Sequence, residues 1–283
     1  MTRVNQSRKW FEAGNYLFLS LVSLSVLLPF LNILAGSFSE GSAILQGLVT
    51  IFPVNFTLEN YAAVIHDAGF WKSFGISVYI TVLGTALNLT FTSLMAYGLA
   101  RRELKGRSTI LLIVLFTMIF TAPIVPTYLL VKSLGMLDTL WAVMIPSLVS
   151  GFNLLITISF FQNIPDGLTE AARMDGCSEY RTFWSIVLPL SMPVMTTIGL
   201  FYAVAHWNGY FAAMMYIRDA SWFPLQVKLK QLMDGTAGDA TSITMREGVK
   251  MATIIVATIP VMSIYPFIQK HFVKGAMIGS VKG

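Results

Sequence analysis

Six apolar segments alternate with short polar segments along the chain. A helix that crosses a bilayer needs about 20 mainly apolar residues, and each segment reaches that length. The pattern therefore predicts an all-α, polytopic membrane protein with six transmembrane helices. A secretory signal peptide is the alternative for the first segment, but no small-residue cleavage site follows it, so we predict a retained helix. The predicted spans cover residues 15–36, 73–99, 108–131, 140–161, 186–208 and 249–268.

The basic residues indicate how these spans are oriented. Lys and Arg collect at the start of the chain, in the turn after the second span and in the tail, whereas the alternate loops are mixed or acidic. Cytoplasmic loops carry the excess of basic residues. Both termini are therefore predicted to be cytoplasmic, in a multi-pass protein of a prokaryotic-type cell membrane. The basic groups comprise Arg3, Arg8 and Lys9, the string "RRELKGR" at residues 101–107, and Lys270, Lys274 and Lys282.

Composition narrows the possible functions. Hydrophobic residues make up 55% of the 283 residues and charged residues 12%, against about 25% charged residues in soluble domains. The net charge of +5 is divided among short groups with no basic stripe, so we expect no nucleic-acid partner. Cys177 is the single cysteine, which excludes an intramolecular disulfide and a multi-cysteine metal site. We predict no metal site.

Prolines lie inside several of the predicted spans. Each proline removes a backbone hydrogen bond and permits a kink. Kinked helices suit a cavity that opens alternately to each side, although proline is common in membrane helices generally. Kinks are expected at Pro123, Pro126, Pro146, Pro189, Pro193 and Pro260.

A charged, amphipathic stretch separates the fourth and fifth spans. It includes the string "NIPDGLTEAARMDG" and belongs to a loop of about residues 162–185. Asn163 is predicted to cap a helix, Pro165 to occupy its first turn, and Asp166 to interact with the positive end of its dipole. A short cytoplasmic helix is therefore expected here, although a connection between adjacent spans needs only a few residues.

The same stretch contains a predicted turn. Gly176 can adopt the left-handed conformation common at helix ends, and Ser178 can then cap a second helix that leads into the fifth span. We refer to this helix, turn and second helix, within the loop of about residues 162–185, as the elbow. An elbow at the inner membrane surface predicts a docking surface for a partner.

The elbow carries a motif that resembles the cytoplasmic loop of ABC importer permeases. The motif reads E-A-A-x3-G-x9-I-x-L-P, and a chance match is expected in about one per million chains of this length. The strings "FPVNFTLENYAAV", "AYGLARRELKGR" and "KHFVKGAMIGSVKG" resemble the carbohydrate-uptake, maltose-type branch. The resemblance covers nearly the whole chain, which is treated as one transmembrane permease domain over residues 1–283. The motif residues are Glu170, Ala171, Ala172, Gly176, Ile186, Leu188 and Pro189.

The resemblance implies a separate ATPase that docks on the elbow. This sequence has no G-x-x-x-x-G-K-[ST] loop, so ATP and Mg²⁺ are expected on the ATPase and no cofactor on this chain. Glu170 and Asp175 would make polar contacts with the ATPase. Ala171 and Ala172 would allow its close approach, and Gly176 would form the turn. The alternatives are ordinary helix propensity for the alanines and a solvated surface charge for Glu170.

Two further segments are expected to contact partners by the same resemblance. In maltose-type relatives the tail enters the ATPase dimer, so Met277, Ile278 and the residues up to Lys282 are expected to contact the ATPase. A tail without a role is the alternative, since termini are commonly loose. The external loop of about residues 218–248 corresponds to a loop that reaches the extracellular solute-binding protein.

Polar and aromatic side chains within the spans are candidates for the translocation path. Aromatic faces suit the C–H surfaces of sugars, and amide groups suit their hydroxyls. Interfacial anchoring and hydrogen bonds between helices are the alternatives. His206 is interpreted as an interfacial residue. The path candidates are Asn88, Asn153, Trp207, Asn208 and Tyr210.

The sequence predicts a transport subunit and not an enzyme, since it has no H-E-x-x-H, no G-x-S-x-G and no intramembrane carboxylate pair. The predicted function is a permease subunit of an ATP-driven, binding-protein-dependent importer of carbohydrates, in particular oligosaccharides. Its expected partners are a second, homologous permease, two ATPase subunits and an extracellular solute-binding protein. An importer of a non-sugar solute is one alternative. A secondary transporter is the other, although the spans lack acidic residues near their centres.

Overall fold

The computed structural model describes residues 2–120, 122–234 and 247–263, with side chains from Lys9 onwards. Within these ranges the regular structure is helical and no β-strand occurs, although Ser39 and Phe56 form an isolated antiparallel bridge. The all-α prediction is therefore confirmed for the described ranges. The described residues divide into two compact units, one formed by residues 2–71, 229–234 and 247–260 and the other by residues 72–120, 122–228 and 261–263. The single permease domain stays a prediction.

The helices vary widely in length, and short turns separate several of them. Two 3-10 turns cover Ile145–Ser147 and Ala220–Trp222, and a π-helical segment covers Phe183–Val187. Numbered in chain order, the α-helices are α1 (Thr2–Ser37), α2 (Gly41–Leu45), α3 (Glu59–His66), α4 (Ala68–Ala100), α5 (Arg107–Ile119), α6 (Ile124–Ser133), α7 (Trp141–Met144), α8 (Gly151–Gln162), α9 (Asp166–Met174), α10 (Glu179–Thr182), α11 (Leu188–Leu190), α12 (Met192–Asn208), α13 (Phe211–Tyr216), α14 (Leu225–Met233) and α15 (residues 247–263).

Two of these helices are long and apolar enough to cross a membrane without a break. They are Lys9–Ser37 within α1, and α4. Three bent pairs could each form one further span: α5 with α6, Trp141–Ser147 with α8, and Glu179–Leu190 with α12. The described residues thus contain between two and five candidate spans. The count of six and the side on which the termini lie stay predictions, because the sixth predicted span ends beyond residue 263.

Prolines mark the breaks in the bent pairs. Trp141–Ser147 and α8 meet at 52°, and Pro146 lies in the 3-10 turn that ends the first of these segments. The two segments of the predicted fifth span meet at 81°, where Pro193 occupies the first turn of α12. The expected kinks are confirmed at these two positions. A proline lacks the N–H that would continue the hydrogen-bond ladder, so the helix axis changes direction there.

The first unit contains α1, whose apolar side chains are largely exposed. In its most apolar stretch no residue is buried within the chain. After α1, the buried amide of Asn60 on α3 donates hydrogen bonds to the carbonyl oxygens of Ser37 and Ser39, at 3.1 and 2.9 Å. These bonds attach α3 to the end of α1. The exposed apolar surface of α1 suits lipid or another membrane chain, because water would not favour it.

The second unit buries several apolar clusters, one of them where four elements meet. α4, α5, α8 and the π-helical segment contribute Ala96, Leu99, Val114, Leu154, Ile158, Phe161, Phe183 and Val187 to one cluster. Nearer the middle of α4, that helix and α12 approach closely at Gly84. A Cβ atom added there would lie 2.6 Å from Nε2 of His206. Small residues at such contacts let membrane helices pack tightly, and this contact positions the polar groups described below.

Candidate functional site

The first part of the elbow is the helix α9, which ends as predicted at Gly176. Gly176 has a φ of +75°, the left-handed conformation that glycine adopts without strain. Its N–H donates to the carbonyl oxygen of Arg173 at 3.0 Å, and the N–H of Cys177 donates to that of Ala172 at 2.9 Å. This pair of bonds is a Schellman motif, which satisfies the last carbonyls of the helix and reverses the chain. The predicted turn is confirmed.

The second part of the elbow begins at Ser178. Its hydroxyl oxygen accepts a hydrogen bond from the backbone N–H of Arg181 at 3.3 Å, so Ser178 caps α10 as predicted. The prediction that Asn163 caps α9 is wrong. Asn163 instead ends α8, and its amide donates to the carbonyl oxygen of Ser159 at 2.8 Å. Pro165 itself has a non-helical backbone, with a φ of −59° and a ψ of 126°, and α9 starts after it.

The residues of α9 divide between an exposed face and a buried one. Glu170, Ala171 and Asp175 are exposed, whereas Ala172 is only 4% exposed and packs within this chain. Met174 is 90% exposed and Leu168 is 44% exposed. Leu168, Ala171 and Met174 follow a spacing of three residues and therefore lie along the same side of the helix. The outer side of α9 thus combines apolar groups with carboxylates.

An ion-pair network connects the elbow to the end of α4. The carboxylate of Glu179 accepts a hydrogen bond from the Arg101 guanidinium and another from the Tyr97 hydroxyl at 2.8 Å. It also accepts one from Nε of Arg173 at 3.1 Å. The Arg101 guanidinium lies 4.8 Å from the centre of the Tyr97 ring. The hydrogen bond to Glu179 raises the pKa of Arg101 above its usual range, so this cation stays charged.

Sequence reasoning missed this network. There, "RRELKGR" served to orient the spans and to support the family resemblance, and neither Arg101 nor Glu179 was assigned a partner. Arg101 and Glu179 are 78 residues apart, so no local pattern connects them. The network borders a cavity of about 370 Å³ between the turn after α4 and the elbow. Its charged and polar lining residues are Tyr97, Arg101, Arg102, Glu103, Gln162, Asp166, Thr169, Glu170 and Arg173.

A second cavity, which we call the polar cavity, lies among α4, α8 and α12 and has a volume of about 480 Å³. The buried amide of Asn88 donates to the carbonyl oxygens of Ser147 and Leu148, at 2.6 and 2.9 Å. The Asn88 side-chain oxygen lies 2.7 Å from Nε2 of His206. Asn88 therefore satisfies carbonyls that the break after α7 leaves without helical partners. Polar lining residues are Asn88, Ser147, Ser150, Asn153, Tyr202 and His206.

Tyr202 joins the wall of the polar cavity to α4. Its hydroxyl lies 2.7 Å from the hydroxyl of Thr92 and accepts a hydrogen bond from the N–H of Ser150 at 3.0 Å. His206 lies one turn further along α12, in contact with Asn88. The interfacial interpretation of His206 is therefore corrected, because its ring lines a cavity between helices.

Two of the five path candidates line the polar cavity, namely Asn88 and Asn153. Trp207 instead is 8% exposed and packs edge-on against Phe74, with ring centroids 6.0 Å apart. The Asn208 amide donates to the carbonyl oxygen of Val204 in its own helix, at 3.0 Å. Tyr210 is 40% exposed and contacts the Phe211 ring edge-on. Trp207, Asn208 and Tyr210 are thus not on the wall of this cavity.

Helical geometry explains why Trp207 and Asn208 do not line this cavity. The part of α12 that faces the polar cavity contributes Phe201, Tyr202, Ala205 and His206, which recur at the three- and four-residue spacing of a helix face. Trp207 and Asn208 follow His206 at about 100° each around the axis, so they point elsewhere. The sequence alone already contained this spacing, which could have identified the cavity-facing side of α12.

Comparison with known proteins decides the family. Residues 88–277 match the family described as "Binding-protein-dependent transport system inner membrane component". The matched range includes the elbow, the Arg101 network and the polar cavity. The chain belongs to this family. Its members are ABC importer permeases, and the family recognised from the elbow motif is confirmed.

Curated relatives of this permease match it over nearly its whole length. Protein LplC of Bacillus subtilis (strain 168) is 48% identical over 280 residues, which cover 96% of this chain and 95% of LplC. The polygalacturonan/rhamnogalacturonan transport system permease protein YtcP of the same strain is 45% identical over 281 residues, which cover 96% of this chain and 98% of YtcP. YtcP is a transport permease by name, and this chain is a transport subunit and not an enzyme, as expected.

A solved structure has the same fold as this permease. It is described as the crystal structure of a bacterial ABC transporter involved in the import of the acidic polysaccharide alginate. One of its chains superimposes with a TM-score of 0.89 at 34% sequence identity, covering 94% of this permease and 98% of that chain.

Some predicted contact residues of the permease lie outside the described ranges. These are Met277 and Ile278 in the tail, and the part of the external loop between residues 235 and 246. In the described ranges, no group of three or more His, Cys, Asp or Glu side chains could hold a metal ion.

Proposed function

We propose that this chain is the transmembrane subunit of an ATP-driven, binding-protein-dependent importer of oligosaccharides in the cytoplasmic membrane of a prokaryote. It pairs with a second, homologous permease to form a heterodimer, and each permease contributes half of the translocation path. Two ATPase subunits bind at the cytoplasmic side and a solute-binding protein at the outside. YtcP, named for polygalacturonan and rhamnogalacturonan, and the alginate importer both support a saccharide substrate.

The observation that carries this proposal is the elbow. A short helix whose outer side is exposed while its inner side is attached to the protein is suited to receive a partner. Met174 and Leu168 offer apolar contacts, and the small side chain of Ala171 permits a close approach. Glu170 and Asp175 supply the polar contacts at the edges. Ala172 supports the helix from inside the chain and leaves the close approach to Ala171.

The Arg101–Glu179–Arg173 network transmits movement of the elbow to the spans. Arg173 is on α9, Glu179 begins α10 and Arg101 follows α4, so one carboxylate joins three elements. Pairs that are bidentate or form part of a network hold their geometry better than isolated surface pairs. When the ATPases close on ATP, the elbow therefore moves together with the inner end of α4.

The polar cavity forms this chain's part of the translocation path. Asn88, Asn153, Ser150, Tyr202 and His206 provide donors and acceptors for sugar hydroxyls. Phe152 and Phe201 line the same cavity with apolar faces. ATP and Mg²⁺ bind to the ATPase, and this chain holds neither.

The direct test is to purify the complete complex and to measure its ATPase activity with the binding protein. Defined oligosaccharides, such as tri-galacturonate and arabinotriose, would be added one at a time. We expect at least one of them to stimulate ATP hydrolysis in the presence of the binding protein. Stimulation by an amino acid or a metal ion, and by no saccharide, would contradict the proposed substrate class.

A further inference from the structure

A third cavity lies beside the first turns of α4 and has a volume of about 640 Å³. Aromatic rings from three elements line it: Tyr79 on α4, Trp141 at the start of α7, and Trp222 in the second 3-10 turn. All three rings are partly exposed, at 48%, 45% and 48%. We call it the aromatic cavity. Its volume falls in the range of about 300–1,000 Å³ typical of small-molecule sites.

Polar side chains accompany the three rings. Lys72, Asp138 and Thr139 line the same cavity, and they provide an ammonium donor, a carboxylate acceptor and a hydroxyl. Asp138 is fixed in a left-handed conformation with a φ of +59°. Its N–H donates to the carbonyl oxygen of Tyr216 at 2.9 Å, and its carboxylate accepts from the N–H of Arg218 at 2.5 Å. These bonds hold the turn before Trp141 in place.

This combination matches the chemistry of a pyranose ring. A sugar presents C–H groups on its faces and hydroxyls around its edge. Aromatic faces suit the C–H groups, because they bury apolar surface against a negative ring face. Charged and hydroxyl side chains around the rim can donate to or accept from the hydroxyls. Lys72 is a cation and Asp138 is an anion. The cavity therefore suits the recognition of sugar hydroxyls and does not select for a charged group of one sign.

The position of the aromatic cavity places it far from the elbow. Lys72 lies near the start of α4, and Tyr97 of the elbow network lies near its end. The 33 residues of α4 extend about 50 Å, which exceeds the apolar thickness of a bilayer, about 30 Å. With the elbow at the cytoplasmic side, the aromatic cavity faces outside. Charged Lys72 and Asp138 on its wall are costly against lipid, so the cavity faces water.

We propose that the aromatic cavity binds one sugar residue of the transported oligosaccharide at the outer face, before the oligosaccharide reaches the polar cavity. This inference rests on the proposed function, since it assigns the saccharide a first contact on this chain. Tyr79, Trp141 and Trp222 would stack on the sugar ring. Lys72, Asp138 and Thr139 would bind its hydroxyls.

A thiol-protection experiment tests this site on the purified complex without the binding protein. Gly75 lines the cavity and faces open space, since no atom lies within 4 Å of an added Cβ. Gly75→Cys in a Cys177→Ala background therefore places a reporter beside the rings without removing them. Ser133→Cys is the matched control, because Ser133 is exposed at the end of α6 and does not line the cavity. Tri-galacturonate and arabinotriose at millimolar concentration serve as the probes.

We expect at least one probe to slow alkylation at Gly75→Cys by about three- to tenfold and to leave Ser133→Cys unchanged. Adding Trp222→Ser should remove the protection, whereas Trp222→Phe should retain it, because phenylalanine keeps an aromatic face. Adding Lys72→Gln should weaken the protection.

Three results would overturn the site: no protection by either probe, equal protection of both cysteines, or protection that survives Trp222→Ser. Stimulation of the wild-type ATPase by binding protein and saccharide is measured separately. If saccharide stimulates the ATPase but does not protect Gly75→Cys from alkylation, the proposed function stands and the sugar site is refuted. If no saccharide stimulates the ATPase, the proposed function is refuted. The alkylation rates of Gly75→Cys then still show whether the cavity binds sugar.

Discussion

Gly176 has a backbone conformation that residues with a side chain rarely adopt. The direction of the chain through the elbow depends on this conformation. With a φ of +75°, it allows the N–H groups of residues 176 and 177 to reach back to α9. Ser178 then starts the next helix two residues later. At this scale, a single backbone angle determines whether α9 ends as a separate docking helix or continues in another direction.

Replacing Gly176 by Val should therefore disrupt the elbow. A β-branched residue with a positive φ is strained, so we expect substrate-stimulated ATPase activity to fall several-fold while the protein still inserts into the membrane. Gly98→Val is the matched control, because Gly98 lies in α4, has no positive φ and faces open space. Normal substrate-stimulated ATPase activity of the Gly176→Val complex would contradict a mechanical role of the turn.

Glu179 is the second residue on which the coupling depends. Glu179→Gln preserves the size of the side chain and removes the charge that joins Arg101 and Arg173. We expect stimulated ATPase activity to decrease several-fold with little change in stability, since exposed ion pairs contribute only about 0–1 kcal/mol. ATPase activity of the purified complex measures the effect, with Glu103→Gln in the neighbouring turn as the control. Equal ATPase activity of both variants and the wild type would show that the network does not transmit movement of the elbow to the spans.

At the scale of elements, local rules predicted the elbow well and the polar cavity poorly. Gly176 and Ser178 act through neighbours within a few residues, so their roles are visible in the string itself. Asn88 acts through Ser147, Leu148 and His206, which are distant in sequence. Hydropathy predicted six spans but no bends, because an apolar window remains apolar across a bend. The prolines supplied that signal, and the kinks expected at Pro146 and Pro193 are present.

Asn88 should be essential to the break after α7. Asn88→Leu leaves two partly buried carbonyls and the His206 ring without their partner, and an unpaired buried polar group costs up to about 1–3 kcal/mol. We expect the apparent unfolding temperature of the purified complex to fall by several degrees. Asn208→Leu is the matched control, since its amide bonds only within its own helix on an exposed side. Equal unfolding temperatures for the two variants would mean that the amide is dispensable.

At the scale of the whole molecule, the two ends of α4 correspond to two different tasks. One end meets the elbow through Arg101 and Tyr97. The other carries the aromatic cavity. α1 adds a long surface of exposed apolar side chains, which fits a chain that works inside a larger membrane complex. The partners themselves could not be derived from residue patterns alone, because docking surfaces are defined jointly by two chains.

Topology can be tested with cysteines at exposed positions in a Cys177→Ala background. Thr50→Cys and Ser133→Cys should react with an impermeant thiol reagent applied to intact cells, because both lie in loops predicted to be external. Met174→Cys, at a residue 90% exposed on the elbow, should react only after the membrane is permeabilised. Labelling of Met174→Cys from outside would reverse the predicted orientation.

The most direct test of the central claim is cross-linking from the elbow to the ATPase. Ala171→Cys, in a Cys177→Ala background, would carry a photoreactive maleimide in the assembled complex. Mass spectrometry would identify the attached chain. We expect a cross-link to a chain with a G-x-x-x-x-G-K-[ST] loop, and none from Ser133→Cys treated in the same way. An elbow that reaches no such chain, or reaches it no more than Ser133→Cys does, would contradict the claim that this helix docks the ATPase.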